Sequence, residues 1–278
     1  MDGVLKEALV QCGPLKLGVW IDDPPHDVLK PAYIDAIHAL PFHELAVMVD
    51  GPKPGIKDAR WSAAQLKEFF AAFPAHDRIM TVWTPAQKHP IAELEAKIME
   101  LADALKPIAI EADAEPAGKW AKKFLVGYAT LGEAAADTMR VLRKPGVRTE
   151  VTVFPSAYSS AAELVKLADV LVSQNYAVAS HDGQAVPAFG PLGPDRYPRE
   201  SILLARERFP KQRIVSGHAA YHQRFTNLPP HDAMMKAIAS ATGVGCNHIR
   251  FWAGKHFFRF KHAYALEVID EIRPFVVL

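Results

Sequence analysis

Glu111, Asp113 and Glu115 stand two residues apart in the run Ala-Ile-Glu-Ala-Asp-Ala-Glu-Pro over 109–116. In an extended strand, residues i, i+2 and i+4 point to one side. The three carboxylates therefore share a face, while Ile110, Ala112 and Ala114 share the opposite one and can pack on a helix. Neighbouring carboxylates on such a face lie about 7 Å apart along the strand. Like charges that close must pair, share a proton or titrate abnormally once they leave water. A carboxyl kept protonated beside an ionised one is the pattern of general acid catalysis. The bland alternative is a set of acidic strand ends in salt bridges with Lys119 or Arg250.

The elements that must position this strand follow a regular alternation. Strands are expected at Leu17–Asp22, Glu44–Gly51, Arg78–Pro85, Ile108–Pro116, Thr149–Phe154, Val170–Tyr176, Arg213–His218 and His248–Trp252. Helices are expected between them at Pro31–Leu40, Ser62–Phe73 (with Ser62 as N-cap), Ile91–Leu105, Leu131–Arg143, Ala161–Leu167, Arg199–Arg208 and Ala233–Thr242. A last helix, His262–Ile272, closes the series. Repeated βα units without a Gly-rich phosphate loop predict an α/β fold, a single (β/α)8 TIM barrel over 1–278, with a doubly wound open sheet as its rival.

In such a barrel the site lies at the C-terminal strand ends. Those ends bring Asp22, Asp23, Asp50, Trp83, Asp113, Glu115, Tyr158, Gln174, Tyr176, His218 and Trp252 to one mouth. Aromatic faces cover C–H surfaces and carboxylates or amides bond hydroxyls, so the ring suits a polyhydroxylated, cyclic ligand. The long Gly- and Pro-rich stretch Ala179–Tyr197 is expected to cover part of the mouth. Trp20, Trp61 and Trp120 read as packing residues, and His38, His43, His76 and His89 as surface or helix-end residues.

Asp113-x-Glu115 at the end of a fourth barrel strand resembles glycoside hydrolases of families 18 (chitinase-like) and 25 (muramidase-like). The resemblance rests on barrel layout and a few strand ends. It implies that Glu115 is the general acid and that Asp113 orients the substrate's N-acetyl group, whose oxygen is the internal nucleophile. Tyr176, in Ser-Gln-Asn-Tyr, resembles the sixth-strand tyrosine of family 18 that bonds the acetamide. Trp252 resembles the tryptophan that floors its sugar site, and Asp22 the first-strand aspartate of family 25. Glu111, Asp50, Trp83, Tyr158, Gln174 and His218 complete the substrate-binding set. The chain departs from the longer family 18 pattern at Ile108 and Glu111, where Asp is usual, and in its third strand, Thr-Val-Trp-Thr-Pro.

The expectation is a glycosidase that cleaves a β-linked N-acetylhexosamine polymer without cofactor or metal, peptidoglycan first and chitin second. Two other classes stand beside it. His218 and His222, with Asp22, Asp23 and His26, would suit a metal-dependent barrel hydrolase. Trp83, Tyr176 and Trp252 without a working acid would make a non-catalytic sugar-binding barrel. The 278 residues carry a formal net charge of +1, which gives no electrostatic reason to expect nucleic acid as partner. No uncharged run is long enough for a membrane span. No signal peptide is visible, so cytoplasmic synthesis with release to the cell wall by another route is expected. Cys12 and Cys246 are expected to be two thiols rather than a bridge.

Overall fold

The protein is described by a computed structural model over residues 3–50, 61–83, 91–114, 129–130, 133, 136–137, 139–140, 143–159, 161–175, 193–220 and 228–277. Eight parallel strands close into a barrel in sequence order: β1 Lys16–Ile21, β2 Glu44–Asp50, β3 Asp77–Trp83, β4 Ala109–Asp113, β5 Arg148–Val153, β6 Val170–Gln174, β7 Arg213–Ala219 and β8 His248–Trp252. The register is Gly18↔Glu44 for β1 with β2 and Gly18↔Arg250 for β1 with β8, which closes the ring. This is the expected TIM barrel, not the open sheet.

The expected helix Leu131–Arg143 lies largely outside the described residues; the others fall where the apolar spacing puts them, within a few residues at their ends. Ser62 caps Ala63–Ala71 in a reciprocal capping box with Gln65, and Ile91–Leu105, Tyr197–Arg208, Pro230–Thr242 and Ala263–Ile272 recur between or after strands. A helix at Gly3–Cys12 is additional to those expected; it packs on Pro230–Thr242, with Leu9 buried in the core. Among the described residues no helix is long and apolar enough to cross a membrane. Cys12 and Cys246 are free thiols.

Alternation along the strands sorts side chains into two compartments. Val19, Ile21, Leu45, Val47, Met80, Ile249 and Phe251 face outward into a large apolar layer beneath the helices. Ala112, Val151, Val153 and Leu171 do the same in a smaller layer with Leu164, Val165 and Phe209. Trp20, Ala46, Ile79, Ala109, Val170, Val172 and Val215 fill the barrel itself.

Two glycines make the large inner groups fit. A Cβ on Gly18 would lie 3.1 Å from Glu44 and 3.2 Å from the Arg250 stem, and one on Gly217 would lie 3.2 Å from the Trp20 ring. Large and small side chains thus interdigitate across the barrel.

Candidate active site at the barrel mouth

Ala109, Glu111 and Asp113 point inward from β4, as the period of two requires. Glu111 lies one layer below the mouth and is fully buried. Its Oε1 accepts from the Trp20 indole at 2.9 Å and from the Thr152 hydroxyl; its Oε2 accepts from Arg250 Nη1 at 2.6 Å and, at 3.5 Å, from Thr81. Burial is the leading influence on its carboxyl and raises the pKa, in spite of the opposing Arg250 guanidinium. Glu111 is therefore corrected from a substrate contact to an ion-pair partner in the barrel core. The pairing with Arg250 is the one named as the alternative for these carboxylates.

Arg250 is also fully buried and holds two further carboxylates, Glu44 Oε2 at 2.8 Å and Glu150 Oε2 at 2.9 Å, through Nη2. Its guanidinium carbon lies 5.2 Å from the centroid of the Trp20 ring. Below it, Glu44 meets Lys16 at 3.0 Å and His248 Nε2 at 2.7 Å, while Glu150 accepts from Arg148 Nε at 2.8 Å. His248 Nδ1 faces Arg213 Nη2 at 2.8 Å, so the ring accepts there and donates from Nε2 to Glu44. Burial alone would raise the Glu44 pKa, but Arg250, the His248 bond and Lys16 together hold it well below the ordinary value of 4.5.

Asp113 reaches the mouth. It is 2% exposed, and its Oδ1 accepts from Gln174 Nε2 at 3.3 Å across the barrel from β6. Trp252, half-buried at the end of β8, meets the Trp20 ring edge-on with centroids 5.8 Å apart. Trp83 pairs with Asp113 in the β3–β4 ladder, and Asp50 ends β2; only their backbones are described. Asp22 follows β1, its Oδ2 accepting from Lys255 Nζ at 2.7 Å while Oδ1 is buried without a hydrogen-bond partner. Beside it Asp23 accepts from the Tyr33 hydroxyl at 2.8 Å; burial, reinforced by Asp22, raises its pKa. Glu115, Tyr176, His222, Lys119, Trp120 and His89, and residues 179–192 of the expected cover, lie outside the described residues.

Two expected site residues face the wrong way for a ligand in the barrel. On β7 the inward positions are Val215 and Gly217, so Ser216 and His218 point outward. His218 is 2% exposed, its ring 6.3 Å from Phe251 in the helix-covered layer, and burial lowers its pKa to about 3. Tyr158 is fully buried outside the wall as well, its ring 5.7 Å from Phe209 and its hydroxyl on Ser173 Oγ at 2.5 Å. Both are corrected from substrate contacts to interlayer residues. The outward turn of His218 also removes it from the metal constellation with Asp22 and Asp23. Among the described residues no group of three or more His, Cys, Asp or Glu side chains is arranged to hold a metal ion.

Trp20 and Trp61 are buried packing residues, as expected. Arg250 enters the sequence reading only as the alternative partner of the acidic strand ends, and Ser216 not at all; the signal for Arg250 is a charged residue in the middle of a short strand, which has to meet opposite charge inside.

No family model matches the sequence, and no curated protein does. Solved structures do resemble it in shape. The catalytic domain of a hyperthermophilic chitinase from Pyrococcus furiosus superposes with a TM-score of 0.61 at 10% identity, covering 96% of this chain and 98% of that one. The spore cortex-lytic enzyme SleL from Bacillus cereus gives 0.54 at 12% identity, covering 92% and 75%. The carboxyl transferase domain of Rhizobium etli pyruvate carboxylase gives 0.53 at 12%, covering 89% and 42%. At these identities the likeness is one of fold, and a barrel of this fold carries chemistries as different as these three.

Proposed function

We propose that the chain is a glycoside hydrolase acting on a β-linked polymer of N-acetylhexosamine, peptidoglycan before chitin. The observation that carries this reading is Asp113: an inward, nearly buried carboxylate at the C-terminal end of β4 that accepts from the side-chain amide of Gln174. Glu115 follows it at the i+2 position. The fold likeness to a chitinase and to a spore cortex-lytic enzyme adds support for a glycan substrate.

Glu115 protonates the glycosidic oxygen as the bond to the anomeric carbon breaks. Asp113 accepts the acetamide N–H, turning its carbonyl oxygen toward that carbon, with Tyr176 bonding the same group. The oxygen attacks, an oxazolinium ion forms, and water delivered by the now basic Glu115 opens it with net retention. Trp252, with Trp20 beneath its edge, offers an apolar floor for the sugar ring. No step in this scheme uses a metal ion.

A zymogram on peptidoglycan and on glycol chitin, followed by mass analysis of the product reducing ends, tests the substrate class. Glu115→Gln is expected to keep the fold while lowering turnover by a factor on the order of 10² or more. Wild-type turnover in that variant would move the acid elsewhere. Activity lost to EDTA and restored by zinc would replace this reading with the metal-dependent one.

A further inference from the structure

At the mouth end of β6 and β7 a connected run of polar side chains interrupts the largely apolar layer between barrel and helices. Ser173 and Ser216 are fully buried, as is Tyr158; Asn175 and His218 are 2% exposed. They form one unbroken chain. The Tyr158 hydroxyl donates to Ser173 Oγ at 2.5 Å, Ser173 donates to Asn175 Oδ1 at 2.6 Å, and Asn175 Nδ2 donates to Ser216 Oγ at 2.6 Å. Ser216 then stands 2.9 Å from His218 Nε2. The Ser216 hydroxyl accepts from the Asn175 amide and shares a second hydrogen bond with Nε2, whose direction follows the His218 tautomer. Burial keeps the imidazole neutral, with its pKa down at about 3.

The backbone N–H of Asn175 is also tied twice, to Ser173 O at 2.9 Å and to Gly217 O at 2.8 Å. Gln174 sits between Ser173 and Asn175 and is the last residue of β6 in the ladder, opposite Gly217. Its neighbours are held outward on both sides, so its own side chain must go inward, where Nε2 meets Asp113.

We propose that Asn175, Ser216 and His218 are positioning residues: acting from outside the wall, they fix the end of β6 so that Gln174 holds Asp113 in the orientation the acetamide needs. The inference rests on the role given to Asp113 above. An apolar filling of the same space would stabilise the fold as well or better, because buried polar groups only recover what they lose in leaving water. What the chain adds is a bonded arrangement running from Tyr158 to His218 Nε2, which restricts the sliding open to apolar side chains. A displacement of about 1 Å at a reacting group costs on the order of 10²-fold in rate, so partial loosening is expected to show in kcat first.

The experiment compares Ser216→Ala, His218→Leu and His218→Gln, whose side-chain amide can donate or accept in place of Nε2. Two readouts are taken on folded protein. The Gln174 side-chain amide signals, assigned by their loss in Gln174→Ala, should shift in Ser216→Ala and His218→Leu and return toward the wild-type position in His218→Gln. On a glycan substrate, Ser216→Ala should lower kcat roughly 10-fold with little change in KM, and should add nothing in a Gln174→Ala background, as residues acting through one another are non-additive. Unmoved amide signals, or a lower melting temperature with kcat intact, would overturn the proposal. If Ser216→Ala does not fold, the two His218 variants carry the same comparison. Absence of any glycosidase activity would remove the proposed reaction, while the amide signals would still decide whether the outer chain places Gln174.

Discussion

Glu111 and Asp113 leave the same strand on the same side and meet opposite surroundings. Glu111, in the middle layer of the barrel, is clamped by a guanidinium, an indole and two hydroxyls. Asp113, in the mouth layer, accepts from an uncharged amide at the longer distance of 3.3 Å. The difference lies in which strand supplies the partner: β8 sends Arg250 into the middle layer, whereas β6 sends Gln174 to the mouth. A cation clamp fixes a carboxylate for the fold. In the function proposed above, the Gln174 amide helps set the direction in which Asp113 meets the substrate.

Removing the clamp should have the largest effect. Arg250→Met leaves Glu44, Glu111 and Glu150 buried together without their shared cation, and breaking such a set costs about 3–5 kcal/mol. Denaturant unfolding measures it; a variant as stable as wild type would mean the middle layer is not held by charge. The same layer sets an acid limb of stability. The folded Glu44 binds its proton more weakly than the unfolded chain does, so its contribution is complete above the ordinary 4.5 and is lost as pH falls through its depressed folded value. Glu111 has the opposite sign: its raised pKa makes ionisation in the folded state costly as pH rises. Glu44→Gln should flatten the acid limb, and an unchanged limb would place its origin elsewhere.

Asp113→Asn should reverse the balance between stability and activity. Asparagine keeps an oxygen to accept from Gln174, so stability should change by less than about 1 kcal/mol. The lost charge should lower kcat on the order of 10²-fold, about 2.7 kcal/mol of transition-state stabilisation. Wild-type kcat in this variant would dissolve the contrast between the two carboxylates. A third measurement on the same site is stereochemical: proton NMR of the first-formed sugar should show a retained anomer, and an inverted one would withdraw the acetamide from the reaction.

The period of two made the shared face of Glu111 and Asp113 legible in the sequence, and the βα alternation made the barrel legible with it. Layer was not legible. Whether a carboxylate on that face lies at the mouth or in the core depends on the closed register that brings Arg250 across to it, a contact spanning 139 residues. His218 shows a second loss of information. Its neighbour Gly217 is the inward residue, kept small to admit the Trp20 ring, and a strand whose inner face includes a glycine gives no apolar alternation from which to read its parity. Tyr158 fails for a different reason: it lies past β5, after the 3-10 turn Pro155–Ala157, where strand parity no longer applies.

Within the clamp itself, Thr152→Val removes a hydroxyl donor from a fully buried carboxylate and should cost about 1–2 kcal/mol.

The smallest expected effect is at Thr81, whose hydroxyl sits 3.5 Å from Glu111 Oε2, at the outer limit of a hydrogen bond. That same oxygen already accepts from Arg250 at 2.6 Å, so it does not become an orphan when the hydroxyl leaves. Valine has nearly the shape of threonine, and Thr81 is fully buried, so the added methyl replaces a poorly used polar atom in an enclosed space. Thr81→Val should therefore change stability by no more than about 0.5 kcal/mol, against the larger loss at Thr152. Equal costs at the two threonines would mean that Glu111 is held by general polarity around it. Unequal costs in the stated order would mean that it is held by specific, short bonds, with Arg250 the chief among them.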